Sequence, residues 1–183
     1  NSFLQNNEVS LIEYAAFYGS IRIFNYLHLN KVDLTSSLWL FVIHSNNSEL
    51  IQLLIDNHIY PKDISYFDCF KESIKCFHND VAKFIKENLL ENNNINESKL
   101  IDSYNFEFVP KDINNPKLLP SFCTFNYFSL VSLILNHIAV DKIKINKFHK
   151  VLLYNAVCNE NIEIVQLLLK QNDININYRN ILM

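Results

Sequence analysis

Five short segments of the chain repeat one pattern: an apolar pair, a polar or small residue, then two more apolar residues. They are Ile23-Phe24-Asn25-Tyr26-Leu27, Leu50-Ile51-Gln52-Leu53-Leu54, Val81-Ala82-Lys83-Phe84-Ile85, Leu130-Val131-Ser132-Leu133-Ile134 and Ile164-Val165-Gln166-Leu167-Leu168. Apolar residues at i, i+1, i+3 and i+4 put a wide stripe on one face of a helix. Each segment is short, so each predicted helix needs a neighbour to cover its stripe. The segments start at residues 23, 50, 81, 130 and 164, at spacings of 27, 31, 49 and 34. Periods near 30 residues indicate a helix pair per repeat, and the 49-residue gap carries an insertion.

Upstream of each segment lies a second short helical stretch. Leu11 to Gly19 is the clearest, and its counterparts are Leu38 to Ser45, Cys69 to Cys76, Leu118 to Phe125 and Leu152 to Asn159. Polar starters sit between the two helices of each pair, at Ser20, Asn47-Ser48, Asn79-Asp80, Asn126 and Asn161. Such side chains cap helix N-termini by accepting orphan backbone N–H bonds. Each second helix is followed by an asparagine, at Asn30, Asn57, Asn88, Asn136 and Asn172. The chain holds a single glycine, so asparagine is the available residue for a left-handed helix stop.

Ser10-Leu-Ile-Glu-Tyr-Ala-Ala-Phe-Tyr-Gly19 followed by Ile23-Phe24-x-Tyr26-Leu27 resembles a degenerate form of the ankyrin pattern TPLHxAAxxGHxxIVxLLL. More closely, the chain resembles a divergent ankyrin-like domain of large protist protein families. Val9 to Leu90 carries the best of that likeness, and Asn155 to Asn177, with Asp173-Ile-Asn-Ile-Asn177, resembles an ordinary ankyrin repeat. TPLH itself is absent, and only the first pair keeps AAxxG. The first spacing is about six short of the usual period of roughly 33. That predicts a tight connector between pairs one and two, while the fuller spacing between pairs four and five leaves room for a projecting hairpin at Val140–Asn146. The fold expected is all-α, an ankyrin-like solenoid of about five antiparallel helix pairs. Residues 1–183 form one domain, and residues 91–116 form a loop insertion within it. In that insertion Ser98 to Asp102 could add a helical turn, Asn105 to Val109 alternates like an edge strand, and the whole is the expected flexible region.

Composition narrows the function. Gly19 alone cannot build a phosphate-cradling loop, which removes dinucleotide-binding and P-loop readings. Apolar residues make up 49% of the chain and charged residues 19%, so there is enough for a core. A net charge of −3 gives no basic footprint for nucleic acid. No apolar run approaches the roughly 18 residues of a membrane span. Four cysteines without a CxxC pair, set in apolar stretches, fit a reducing compartment, cytoplasmic or nuclear. The chain opens at Asn1 and stops at Met183, and Tyr178-Arg179-Asn180 just before that looks like the start of a further repeat, so more repeats are expected in the parent chain.

Candidate chemistry is sparse. Cys69 and Cys76 are seven apart, with His78 close by, yet structural zinc sites use tighter spacing and four ligands. Packing is the preferred reading there, and no metal or cofactor is expected. Cys123 or Cys158 would need a positioned base such as His137 or His149 to act as a nucleophile, and neither has motif context. His28, His44 and His58 fall near helix ends, where imidazole caps carbonyls. What remains is a non-catalytic protein–protein interaction module, as the ankyrin resemblance implies. Its expected contacts are Tyr14, Tyr18, Phe41, Ser45, Glu72, Phe125, Asn155 and Asn159 on the inner helices, with Lys142 and Lys144 at a hairpin tip. The alternative is a structural spacer or capping segment of a larger repeat protein.

Overall fold

A computed structural model describes residues 8–90, 95, 97–109, 111, 115, 117–137 and 142–170. Among these the secondary structure is helical, with no strand. The chain divides into two compact units, residues 1–95 with 103–107 and residues 96–102 with 108–183.

The first unit holds three helix pairs: α1 (Leu11–Phe17) with α2 (Ile21–Leu29), α3 (Leu38–Ser45) with α4 (Ser48–Asp56), and α5 (Tyr66–Lys75) with α6 (Asn79–Asn88). Within this unit α1 packs on α3, and α3 on α5, so the first helices of successive pairs stack directly. Ala15 and Ala16 are buried in α1, and their small side chains let α3 approach closely. The second unit holds α7 (Leu119–Thr124) with α8 (Phe128–His137) and α9 (Lys142–Cys158) with α10 (Ile162–Leu169). Here α9 packs on both α7 and α10, around Phe122, Cys123, Val131, Leu152, Ala156, Ile164 and Leu168.

Every first helix ends in the same way. Gly19, Asn46, Phe77, Asn126 and Glu160 all have positive φ, between 52° and 64°. In four of these turns the amide of the next residue reaches the carbonyl five positions back: Ser20 to Ala15, His78 to Ser73, Tyr127 to Phe122 and Asn161 to Ala156. This is the bonding of a left-handed helix stop. Only Gly19 meets it with glycine, and side-chain-bearing residues pay about 1–2 kcal/mol for that backbone geometry.

After the later stops the next residue also links to the turn before it, whereas Asn47 reaches only the Gly19 carbonyl, at 3.5 Å. His78 Nδ1–H donates to the Ile43 carbonyl at 2.8 Å, and Asn161 Nδ2 to the Cys123 carbonyl at 2.6 Å. Ile43 and Cys123 each lie three residues before a left-handed stop. The insertion contains the same device. A 3-10 helix, Glu97–Ser103, is followed by left-handed Tyr104, and Asn105 donates to the Ile74 carbonyl at 3.0 Å. Tyr127 Oη then donates to the Ile101 carbonyl at 2.8 Å. Ile74 and Ile101 again lie three residues before Phe77 and Tyr104. The long gap between pairs three and four therefore contains an extra, degenerate first helix, with intervals of 27 and 22 between the flanking stops.

Several expectations change. Asn105 to Val109 is not a strand, because Asn105 is buried and spends its amide on Ile74 and Asn79. The described part of the insertion is anchored by this contact and by Lys83 paired with Glu107. Asn30 and Asn57 have φ of −86° and are not left-handed. Their side-chain amides bond the carbonyls of Tyr26 and Leu53 four residues back, at 2.7 and 2.8 Å, and the left-handed residues are the next ones, Lys31 and His58. Asn88 bonds Phe84 likewise at 2.9 Å, Asn136 reaches the Ser132 hydroxyl, and Asn172 lies outside the described residues. Of the expected N-terminal caps only Asn47 accepts from its own helix, from the amides of Glu49 and Leu50. Ser20 and Asn161 make no such bond.

In the repeated apolar pattern the fifth position is the constant core position among pairs two to five: Leu54, Ile85, Ile134 and Leu168 are buried. Leu53 and Leu167, expected in the core, are only half-buried, since the fourth position points to the rim of each stripe. Leu54→Ala should therefore cost about 2–5 kcal/mol in denaturant unfolding, as for a large-to-small change in a closed core, and Leu53→Ala clearly less. Equal losses would contradict this register.

Candidate functional site

The left-handed stops give a common register for the first helices. Five residues before a stop stand Tyr14, Phe41, Glu72 and Asn155, and one residue before it stand Tyr18, Ser45, Cys76, Phe125 and Asn159. Positions four apart share a helix face, so each expected contact pair lies on one face of its helix. The environments of these residues differ sharply. Tyr14 and Tyr18 are 40% and 68% exposed, with Leu11 exposed beside them on α1. Phe41, at the register of Tyr14, is only 4% exposed. It belongs to the core of the first unit and does not present area to solvent. Ser45 bonds the Val42 carbonyl.

In the second unit Phe125 is half-buried against the core, and Asn155 donates to the Pro120 carbonyl at 3.3 Å. Asn159 is exposed, with its amide on the Asn155 carbonyl. Lys142 and Lys144 lie in α9, which starts at Lys142. Residues 142–146 are therefore helical and not part of a hairpin: the four-residue Lys-Ile-Lys-Ile alternation is absorbed as the first turns of a 17-residue helix. The side chains of both lysines lie outside the described residues. On α9 Val151, Tyr154 and Val157 are exposed at spacings of three. Sequence reading missed these, because this stretch is apolar on more faces than one neighbour can cover.

Glu72 leads to an arrangement of a different kind. Its Oε1 lies 3.1 Å from Nε2 of His44 on α3, and His44 Nδ1 lies 3.4 Å from Sγ of Cys76. The Phe17 ring lies against the imidazole at a centroid distance of 5.1 Å. Three metal-type donors thus come within 4.8 Å of one another. The imidazole, however, spends its two diverging nitrogens on the other two donors, so the three do not converge on a common point. Cys69, Cys76 and His78, close in sequence, do not form such a group among the described residues. Cys69 is buried, which pushes its thiol up to about 12, and His78 serves the Ile43 carbonyl. Burial likewise pushes Cys123 up to about 12.

A family model of the ankyrin repeat matches residues 150–181. Over that stretch the chain is ankyrin-like. Of the matched residues, 150–170 are described, and they comprise the end of α9, the left-handed Glu160, the linking residue Asn161 and α10. The remaining helix pairs are consistent with ankyrin-like helical repeats and carry the same stop. Compared with curated proteins and with solved structures, the chain finds no match. No described helix of these repeats is long and apolar enough to cross a membrane.

The Cys76 sulfur and then the Glu72 carboxylate raise the His44 imidazole from 6.5 to about 9, against the opposing effect of burial. His44 in turn holds Glu72 below the usual carboxylate range, with Lys75 and Lys71 adding to the effect and burial opposing it. A raised histidine contributes stability that is fully present below its unfolded value, near 6.5, and is lost as the pH climbs through the folded value of about 9. The stability difference between the native chain and His44→Gln should therefore shrink steadily over that window in urea titrations. A difference that stays flat or grows would contradict a protonated His44 in the folded state.

Proposed function

We propose that the chain is a non-catalytic protein-interaction module, an ankyrin-repeat scaffold or adaptor, acting in the reducing cytoplasm or nucleus. One ankyrin-like domain spanning residues 1–183, with 91–116 as an insertion, is part of the same reading. The observation that carries it is the exposed aromatic pair Tyr14 and Tyr18 on α1, flanked by exposed Leu11. Tyrosine brings a large area with few rotors and a polar tip, which suits a surface that must be both soluble and adhesive. At the same register in the next pair, Phe41 is taken into the core, so the contact surface proposed within the first unit centres on α1. Glu72 supplies an acidic flank and Ser45 a small polar one. In the second unit the exposed Asn159 of the same register is joined by Val151, Tyr154 and Val157.

The second reading, a spacer or capping segment among further repeats, is favoured by α2. Ile23, Tyr26 and Leu29 are exposed there, and Leu29 is 81% so. In pair two the positions matching Ile23 and Leu27 are the buried Leu50 and Leu54. An apolar stripe that a neighbour covers in one pair and not in another suits a stack that continues.

A Tyr14→Ala/Tyr18→Ala variant separates the two. Both side chains are largely exposed, so the circular dichroism and unfolding midpoint should stay near those of the native chain, within the roughly 0.5 kcal/mol typical of surface changes. Proteins retained from the source cell on the immobilised native chain should be lost from the variant. Retention that is unchanged would favour the spacer reading, and an unfolded variant would return both tyrosines to a packing role.

A further inference from the structure

The order Cys76, His44, Glu72 is that of an activated thiol. A nucleophile needs a base within hydrogen-bond reach, and the base needs a third group to fix its orientation and tautomer. Here Sγ of Cys76 meets Nδ1 of His44 at 3.4 Å, and Nε2 of the same ring meets the Glu72 carboxylate at 3.1 Å. The ring is held from the side by Phe17 at 5.1 Å. The three groups come from two stacked first helices: His44 from α3, Glu72 from α5, and Cys76 from the residue that ends α5. Cys76 sits one residue before the left-handed stop at Phe77, and its thiol is half-buried rather than enclosed.

The other three described cysteines lack this arrangement. Cys69 and Cys123 are buried in the cores of their units. Cys158 is exposed and has the Tyr154 hydroxyl as its hydrogen-bond partner. If exposure alone set reactivity, Cys158 would lead. If a positioned imidazole set it, Cys76 would lead despite its lower exposure.

We propose that Cys76 is a reactive thiol, activated by His44 and Glu72, that undergoes thiol–disulfide exchange with low-molecular-weight disulfides. In the reacting pair the thiol proton rests on Nδ1 of His44, so the sulfur attacks as a thiolate beside an imidazolium whose Nε2 lies 3.1 Å from the Glu72 carboxylate. The sulfur lone pair attacks one sulfur of the incoming disulfide, forming the new S–S bond as the old one breaks. The second sulfur departs as a thiolate and takes its proton from His44. Cys76 is oxidised to a mixed disulfide, the incoming disulfide is reduced to one thiol, and atoms and charge balance. The added group would stand at the same register as Tyr18 and Ser45, and it would separate His44 from one of its two partners.

The test uses the whole chain with its four cysteines reduced. Brief treatment with iodoacetamide at neutral pH, followed by peptide mass spectrometry, gives a labelling rate for each cysteine. Cys76 should label about tenfold faster than exposed Cys158, with Cys69 and Cys123 slowest. In His44→Gln the Cys76 rate should fall about tenfold while the Cys158 rate holds, and Glu72→Gln should give a smaller fall. Incubation with oxidised glutathione should place the mixed disulfide on Cys76 first. Fast labelling of Cys69 and Cys123 would reveal unfolding of a variant, in which case Glu72→Gln and the native-chain ranking decide. A native chain in which Cys158 outpaces Cys76 would overturn the proposal, as would a folded His44→Gln chain with an unchanged Cys76 rate.

Discussion

One hydrogen bond, repeated along the chain from the second helix pair onward, ties successive turns within each unit to one another. A side chain just past a left-handed stop donates to a backbone carbonyl near the end of the preceding first helix. His78 on Ile43 and Asn105 on Ile74 do this in the first unit, and Tyr127 on Ile101 and Asn161 on Cys123 in the second. The last carbonyls of a helix have no partner within it. Two of the target carbonyls, on Ile43 and Ile74, also accept the amides of Asn46 and Phe77, so there the link is a second bond. Leaving a buried carbonyl with none costs about 1–3 kcal/mol. The donors are chemically varied: an imidazole, two amides and a phenol. What is constant is the position, one residue after the stop, and the target, three residues before the previous one.

This explains which parts of the fold were legible in the sequence. The repeated apolar pentads marked the second helices correctly, because burial of a stripe leaves a periodic trace. The limits of α3 at Leu38 and Ser45 could be read directly. The stops could not. Phe77, Tyr104 and Glu160 carry no chemical sign of a left-handed backbone, whereas the visible asparagines at 30 and 57 serve as side-chain caps one residue earlier. The extra turn at Glu97–Ser103 was hidden for the same reason. Its helix is short and 3-10, and the link through Asn105 depends on backbone geometry that composition does not encode.

The candidate site was legible only in its register. Eight of the ten residues five and one before these stops were identified, Ser121 and Cys76 being missed, and burial divided the eight. Tyr14 and Tyr18 reach solvent, and Phe41 is drawn into the core between α1 and its neighbours. The contact of Cys76 with His44 and Glu72 joins residues up to 32 apart in sequence, across two stacked helices. No local motif announces it. It follows from the stacking, which brings the end of α5 beside the end of α3. The proposed recognition surface and the thiol cluster thus depend on the same packing of first helices.

The linking bond is most directly tested at Asn161, which lies within the ankyrin-like stretch and is 7% exposed. Its Nδ2 serves the carbonyls of Cys123 at 2.6 Å and Thr124 at 3.3 Å. The measurement is the urea unfolding free energy of Asn161→Ala against the native chain. The account predicts a loss of about 1–3 kcal/mol, the cost of leaving a buried carbonyl unpaired, with the slope of the transition unchanged. An Asn161→Ala chain as stable as the native one would contradict it.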